Sequence, residues 1–71
     1  MILSIKVYGM ACQGCENRIE HALLSLDKIT RVNADRNREN VILESENEID
    51  LSAVRQALDD LGFEVGEETF L

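Results

Sequence analysis

The sequence predicts an α+β fold in which a four-stranded antiparallel sheet carries two helices on one face, in the order βαββαβ. Three observations lead there. Apolar residues alternate with polar ones near the start of the chain. After Cys15 they shift to helical spacing, and the second half repeats the same switch between strand and helix. The chain has 71 residues and no proline, so one compact two-layer domain spanning 1–71 is expected, with no internal linker.

The first strand is read from Ile5 and Val7, which alternate with Ser4, Lys6 and Tyr8 as in a strand with one buried face; Gly9 stops it. Ile19, Ala22, Leu23 and Leu26 then form one helical stripe. Asp27-Lys28 is a polar turn, in which Asp27 is expected to tolerate an unusual backbone angle. Ile29, Val32 and Ala34 make the second strand. Past the polar run Asp35 to Asn40, Val41 and Leu43 supply the inward face of a third, so these two strands form an antiparallel hairpin.

Asp50 is a natural N-cap for the second helix, and Ile49 is placed to pack on Val54 as a hydrophobic staple. Leu51, Val54, Ala57, Leu58 and Leu61 are its apolar stripe. Gly62 lies just beyond, where a left-handed residue ends a helix most cheaply, and Phe63 and Val65 begin a short last strand. Together these elements give a ferredoxin-like βαββαβ sandwich. Its outer sheet face is polar at Ser4, Lys6, Asn33 and Glu44, with Ile42 the one apolar residue that breaks the pattern.

Composition narrows the function. Fourteen acidic against seven basic residues give a net charge of −7, which opposes binding to phosphate backbones and anionic membranes, so no nucleic-acid partner is expected. No stretch approaches the length of about 18 apolar residues that spans a bilayer, and the start carries no basic leader followed by an apolar run. Two cysteines separated by two residues do not make a secreted disulfide framework, and a reducing cytoplasm is the expected setting. The small chain leaves no room for a large enclosed active site, so an enzyme is not expected.

Cys12 and Cys15 therefore carry the chemistry. A Cys-x-x-Cys pair occurs in zinc sites, redox proteins and metal carriers. Here it sits on a strand-to-helix junction, with Cys15 near the first helical turn, where unpaired N–H groups favour a thiolate. Two soft sulfurs satisfy Cu(I), whereas structural Zn²⁺ generally takes four ligands. His21, the only histidine, falls roughly 240° around the helix from Cys15 and reads as a surface residue. A thiol–disulfide oxidoreductase is the redox alternative, but Gln13 and Gly14 lie between the cysteines and proline, usual near such couples, is absent. Gly9, Gln13 and Gly14 also make a poor setting for cysteines that serve only as core.

The run Gly9-Met10-Ala11-Cys12-Gln13-Gly14-Cys15, followed by Ile19-Glu20 and Ala22-Leu23, resembles the heavy-metal-associated domain, as does Leu58-Asp59-Asp60-Leu61-Gly62-Phe63-Glu64 in the second half. The resemblance implies Cys12 and Cys15 as ligands of Cu(I), with Zn(II) or another soft metal as the alternative. It implies Met10 and Phe63 as residues that support the loop without binding the ion. Phe63 matches the aromatic residue common in modules of transport ATPases, where many free chaperones place lysine or tyrosine nearby. From its place after a helix cap, Phe63 is expected to pack inward near the loop. Ala11 stands where zinc- and cadmium-type members often place an acid, which favours copper.

Implied partners are a metal-transporting P-type ATPase or its metal-binding domain, with ion transfer by thiolate exchange. A metal-bridged homodimer is a further expectation. A copper chaperone and an N-terminal regulatory module of a copper- or zinc-transporting ATPase both fit these residues.

Overall fold

The computed structural model describes residues 1–26 and 28–71. Its elements run β1 (Ile2–Tyr8), α1 (Gln13–Leu24), β2 (Ile29–Asp35), β3 (Asn40–Ser45), α2 (Leu51–Asp60) and β4 (Glu64–Phe70). The four strands form one antiparallel sheet in the order β2-β3-β1-β4. This is the predicted ferredoxin-like arrangement, with β1 and β3 central and both helices packed on one face.

Register explains the core. Leu3 and Ile5 of β1 stand opposite Leu43 and Val41 of β3, and Val32 and Ala34 of β2 continue the same rows. Leu3, Ile5, Val7, Val41 and Leu43 have no exposed surface, nor do Ile19 and Leu23 of α1 and Leu58 of α2, and all belong to one hydrophobic cluster. Complete burial of such a side chain stabilises by roughly 1.5–3 kcal/mol, so the layers are held chiefly by apolar contact. On the outer face Ile42 pairs with Ser4 on one side and Asn33 on the other, and it is only half-buried. Its apolar character is tolerated because β3 is an inner strand whose neighbours shield it.

α2 is bounded as its sequence indicates. The Asp50 carboxylate accepts from the Ala53 N–H at 3.2 Å, and Ile49 and Val54 both join the core. At the other end the Gly62 N–H donates to the Asp59 carbonyl (2.9 Å) and the Phe63 N–H to the Leu58 carbonyl (3.2 Å), with Gly62 at φ 89°. These two bonds are the Schellman pattern, which needs a left-handed residue at the glycine position.

One feature differs from expectation. β4 is a seven-residue strand, longer than the short one predicted. Between Ile5 and Val7 its register slips, so that Ile5 pairs with Glu68 and Val7 with Val65. The extra residue breaks the alternation by which a strand is read. In the turn after α1, the expectation for Asp27 lies outside the described residues, and the left-handed geometry is found at Lys28, φ 72°. That conformation costs a non-glycine residue about 1 kcal/mol.

The pairings also decide what surrounds the cysteine loop. Tyr8 pairs with Glu64 and Lys6 with Asn40, so the end of β1, the β2–β3 turn and the start of β4 share one end of the sheet. α1 starts and α2 ends there as well.

Candidate metal centre

At the end of β1, Gly9 adopts φ 100° and the chain passes through Met10 and Ala11 to Cys12. Cys12 is the N-cap of α1, with extended backbone at φ −157° and ψ 172°, and makes no side-chain capping bond. Its carbonyl accepts from the N–H groups of Cys15 (3.1 Å) and Glu16 (3.4 Å), which closes the first turn. Cys12 is exposed and Cys15 half-buried, and both are free thiols.

Their sulfurs lie 3.8 Å apart. With metal–sulfur bonds of about 2.3 Å, that 3.8 Å separation subtends roughly 110° at a shared ion, whereas a linear pair needs about 4.6 Å. The pair is thus set within bonding reach of one ion, and exposed Cys12 is the sulfur free to adjust.

The Cys15 thiol is held below its ordinary pKa, first by a hydrogen bond from the Ala11 backbone, then by the Cys12 side chain and backbone; burial opposes this in part, and Arg18 adds the smallest lowering contribution. These groups stabilise its thiolate, the form that binds metal.

Met10 is half-buried and packs against the core beneath the loop. Phe63 is buried, 9% exposed, and its Cδ1 lies 3.7 Å from the point a Cβ on Gly9 would occupy. Phe63 thus packs inward beside the loop, where the sequence placed it. His21 is exposed in the last turn of α1. Among the described residues, no group of three or more His, Cys, Asp or Glu gathers as a metal cage.

Glu16 and Glu20 were not singled out for the contacts they make. On α1 they lie four apart, on one face, and both reach the edge of the sheet at β2. Glu20 Oε2 accepts from the Ala34 N–H at 3.1 Å, and Glu16 Oε2 from the Arg36 N–H at 2.8 Å. Glu16 also pairs with the Arg36 guanidinium at 3.5 Å. The available signal was two carboxylates at helical spacing beside an edge strand with unpaired amides, a pattern also made by any solvated helix face.

The model of the heavy-metal-associated domain matches residues 4–64. The chain belongs to the heavy-metal-associated domain family. Among curated relatives of this domain, the copper chaperone CopZ of Staphylococcus haemolyticus is 32% identical over 62 residues, covering 86% of this chain and 91% of its own length. Among solved structures, the N-terminal domain of a potential copper-translocating P-type ATPase from Bacillus subtilis, in its Cu(I)-loaded state, superposes with a TM-score of 0.84 at 26% identity, covering 99% of this chain and 91% of that one. The N-terminal domain of ZntA in its Zn(II) form gives 0.83 at 28% identity, covering 92% and 88%. The heavy-metal-associated fold therefore links this chain to proteins named for copper and to one named for zinc.

Proposed function

We propose that the chain acts as one domain that binds a single Cu(I) through Cys12 and Cys15 and passes it to a like domain by thiolate exchange. The observation that carries this reading is the pair of free sulfurs 3.8 Å apart at the exposed start of α1. A soft, singly charged ion is satisfied by few thiolates, and this site offers two. Met10 and Phe63 support the loop from below and are not ligands.

Transfer needs access and a third ligand position. An incoming thiolate from the partner approaches the exposed Cys12 side and completes a three-coordinate ion, for which sulfurs about 4.0 Å apart suffice at bonds of about 2.3 Å. One original thiolate then departs, and a second partner thiolate displaces the other in the same way, so the ion moves without net redox change and the domain works as a carrier, not an enzyme. The pH dependence has a definite sign. A lowered Cys15 pKa keeps the thiolate present at lower pH, and affinity falls as pH drops through that pKa and protons compete for the sulfur.

The partner is a metal-transporting P-type ATPase or its metal-binding domain, encountered in the cytoplasm. The likeness to N-terminal ATPase domains also supports a second reading, a regulatory module of such an ATPase, and the reading frame on either side of the 71 residues separates the two. Because each site has unfilled coordination capacity, two copies sharing one ion through four cysteines is a further part of the proposal, to be read as metal-dependent dimerisation in sedimentation.

Anaerobic titration against a Cu(I) chelator tests the reading. The wild type is expected to compete and a Cys12→Ser/Cys15→Ser double variant to fail; equal behaviour of the two proteins overturns it. X-ray absorption on the loaded protein is expected to give a sulfur-only shell, whereas nitrogen or oxygen neighbours select Zn(II). Insulin reduction by the metal-free reduced protein would instead favour a thiol–disulfide oxidoreductase.

A further inference from the structure

The first turn of α1 carries both cysteines yet is weakly built. Cys12 caps it without a side-chain bond, and Gly14 within it has the largest backbone entropy to lose. The first fully buried residue of the helix is Ile19, a turn beyond Cys15. Partial packing of Cys15 and the backbone bonds to the Cys12 carbonyl do little to fix the turn against the sheet.

Glu16, next to Cys15, supplies that link. Its carboxylate accepts from the Arg36 N–H at 2.8 Å and meets the Arg36 guanidinium at 3.5 Å. Among the described residues these two contacts, both made by Glu16, are the only side-chain hydrogen bonds from the first turn to another element. The Arg36 end is fixed in advance. Asp35 Oδ1 accepts from the N–H groups of Asn37 (2.9 Å) and Arg38 (3.2 Å), so the β2–β3 turn is ordered by its own side chain. Two further bonds tie that turn to β1, from the Val7 N–H to the Glu39 carbonyl and from Lys6 Nζ to the Arg38 carbonyl.

We propose that Glu16 is a positioning residue for the metal site, anchoring the helical turn that bears Cys15 to the β2–β3 turn through the Arg36 backbone N–H. This rests on the Cu(I)-binding reading. Cys15 becomes the fixed ligand, and Cys12, N-terminal to the anchored turn, the adjustable one. The backbone bond has the short, charge-assisted geometry. The guanidinium contact is longer and more exposed, and an ion pair of that kind contributes little. The bond, not the ion pair, therefore carries the effect.

Three variants of the intact chain separate these contributions. Glu16→Ala removes the acceptor, Glu16→Gln keeps an oxygen for the Arg36 N–H, and Arg36→Ala keeps the N–H while deleting the guanidinium. By chelator competition, Glu16→Ala is expected to bind Cu(I) about three- to tenfold more weakly, at or below the low end of the effect of groups that orient metal ligands, while the other two stay within about twofold of wild type. In the metal-free protein, amide hydrogen exchange at Arg36 is expected to quicken in Glu16→Ala alone. Asp50→Ala, which weakens the chain at the start of α2, should leave Cu(I) affinity unchanged.

The inference is overturned if Glu16→Ala binds as wild type does, if Glu16→Gln loses as much as Glu16→Ala, or if Asp50→Ala loses as much at comparable stability. Absence of Cu(I) binding by wild type would remove the carrier reading and this inference with it. Binding by wild type and Glu16→Ala alike would remove the inference alone.

Discussion

The two helices share one face of the sheet but are secured differently. α2 begins at an Asp50 carboxylate that caps it and ends in a Schellman pattern at Gly62. α1 begins at a cysteine that caps nothing with its side chain, followed by an exposed glutamine and glycine. Sequence preference offers Ser, Thr, Asp or Asn for such a start, each worth about 1 kcal/mol over a residue that cannot accept. The chain uses such a residue where the helix is structural and omits it where the helix carries thiols. A capping oxygen at position 12 would occupy the place of the Cys12 sulfur, a ligand in the proposed function. Local conflict of this kind is expected where function overrides stability.

The largest effect that sharpens this contrast is in the body of α2. Leu58 has no exposed surface, and its carbonyl also receives the bond that closes the helix end. Leu58→Ala should destabilise the protein by about 2–5 kcal/mol through lost burial and the cavity left behind. Denaturant unfolding measures it. A loss under about 1 kcal/mol would mean that α2 is not the structural helix described. Asp50→Ala comes next, with an expected loss of about 1 kcal/mol from removal of the cap. If it leaves stability unchanged in the same measurement, the asymmetry between the two helix starts carries no energy.

The structural helix was also the more legible one. Asp50 and Gly62 mark its ends by residue type, and the alternation of Ile5 and Val7 or of Val41 and Leu43 marks strands, because these patterns are set by bonds and contacts close in sequence. The cysteine pair and its place at a strand-to-helix junction were readable for the same reason. β4 was read short because its slipped register between Val65 and Glu68 scrambles the period of two. Among the described residues of the turn after α1, Lys28 is left-handed, a choice its side-chain chemistry does not announce. Least legible was the anchor at Glu16. Its partner is a backbone amide twenty residues away, present opposite α1 only because the sheet brings the β2–β3 turn to that end. Ordinary spacing rules see an acidic residue in a first helical turn, which the helix dipole favours in any case.

The smallest effect tests the contrast most directly, because it runs opposite to the usual direction of a mutation. Cys12→Ser replaces a residue that does not cap with one of the preferred N-caps, at a position whose backbone is already extended. Its hydroxyl can accept from the unpaired N–H groups of the first turn, so the metal-free variant should gain about 0.5–1 kcal/mol in denaturant unfolding. The same substitution removes the exposed sulfur and should abolish competition for Cu(I). A metal-free variant no more stable than wild type would show that the turn is limited by something other than its cap, such as Gly14. Gain of stability together with loss of copper would identify position 12 as the place where the sequence favours the ion over the helix.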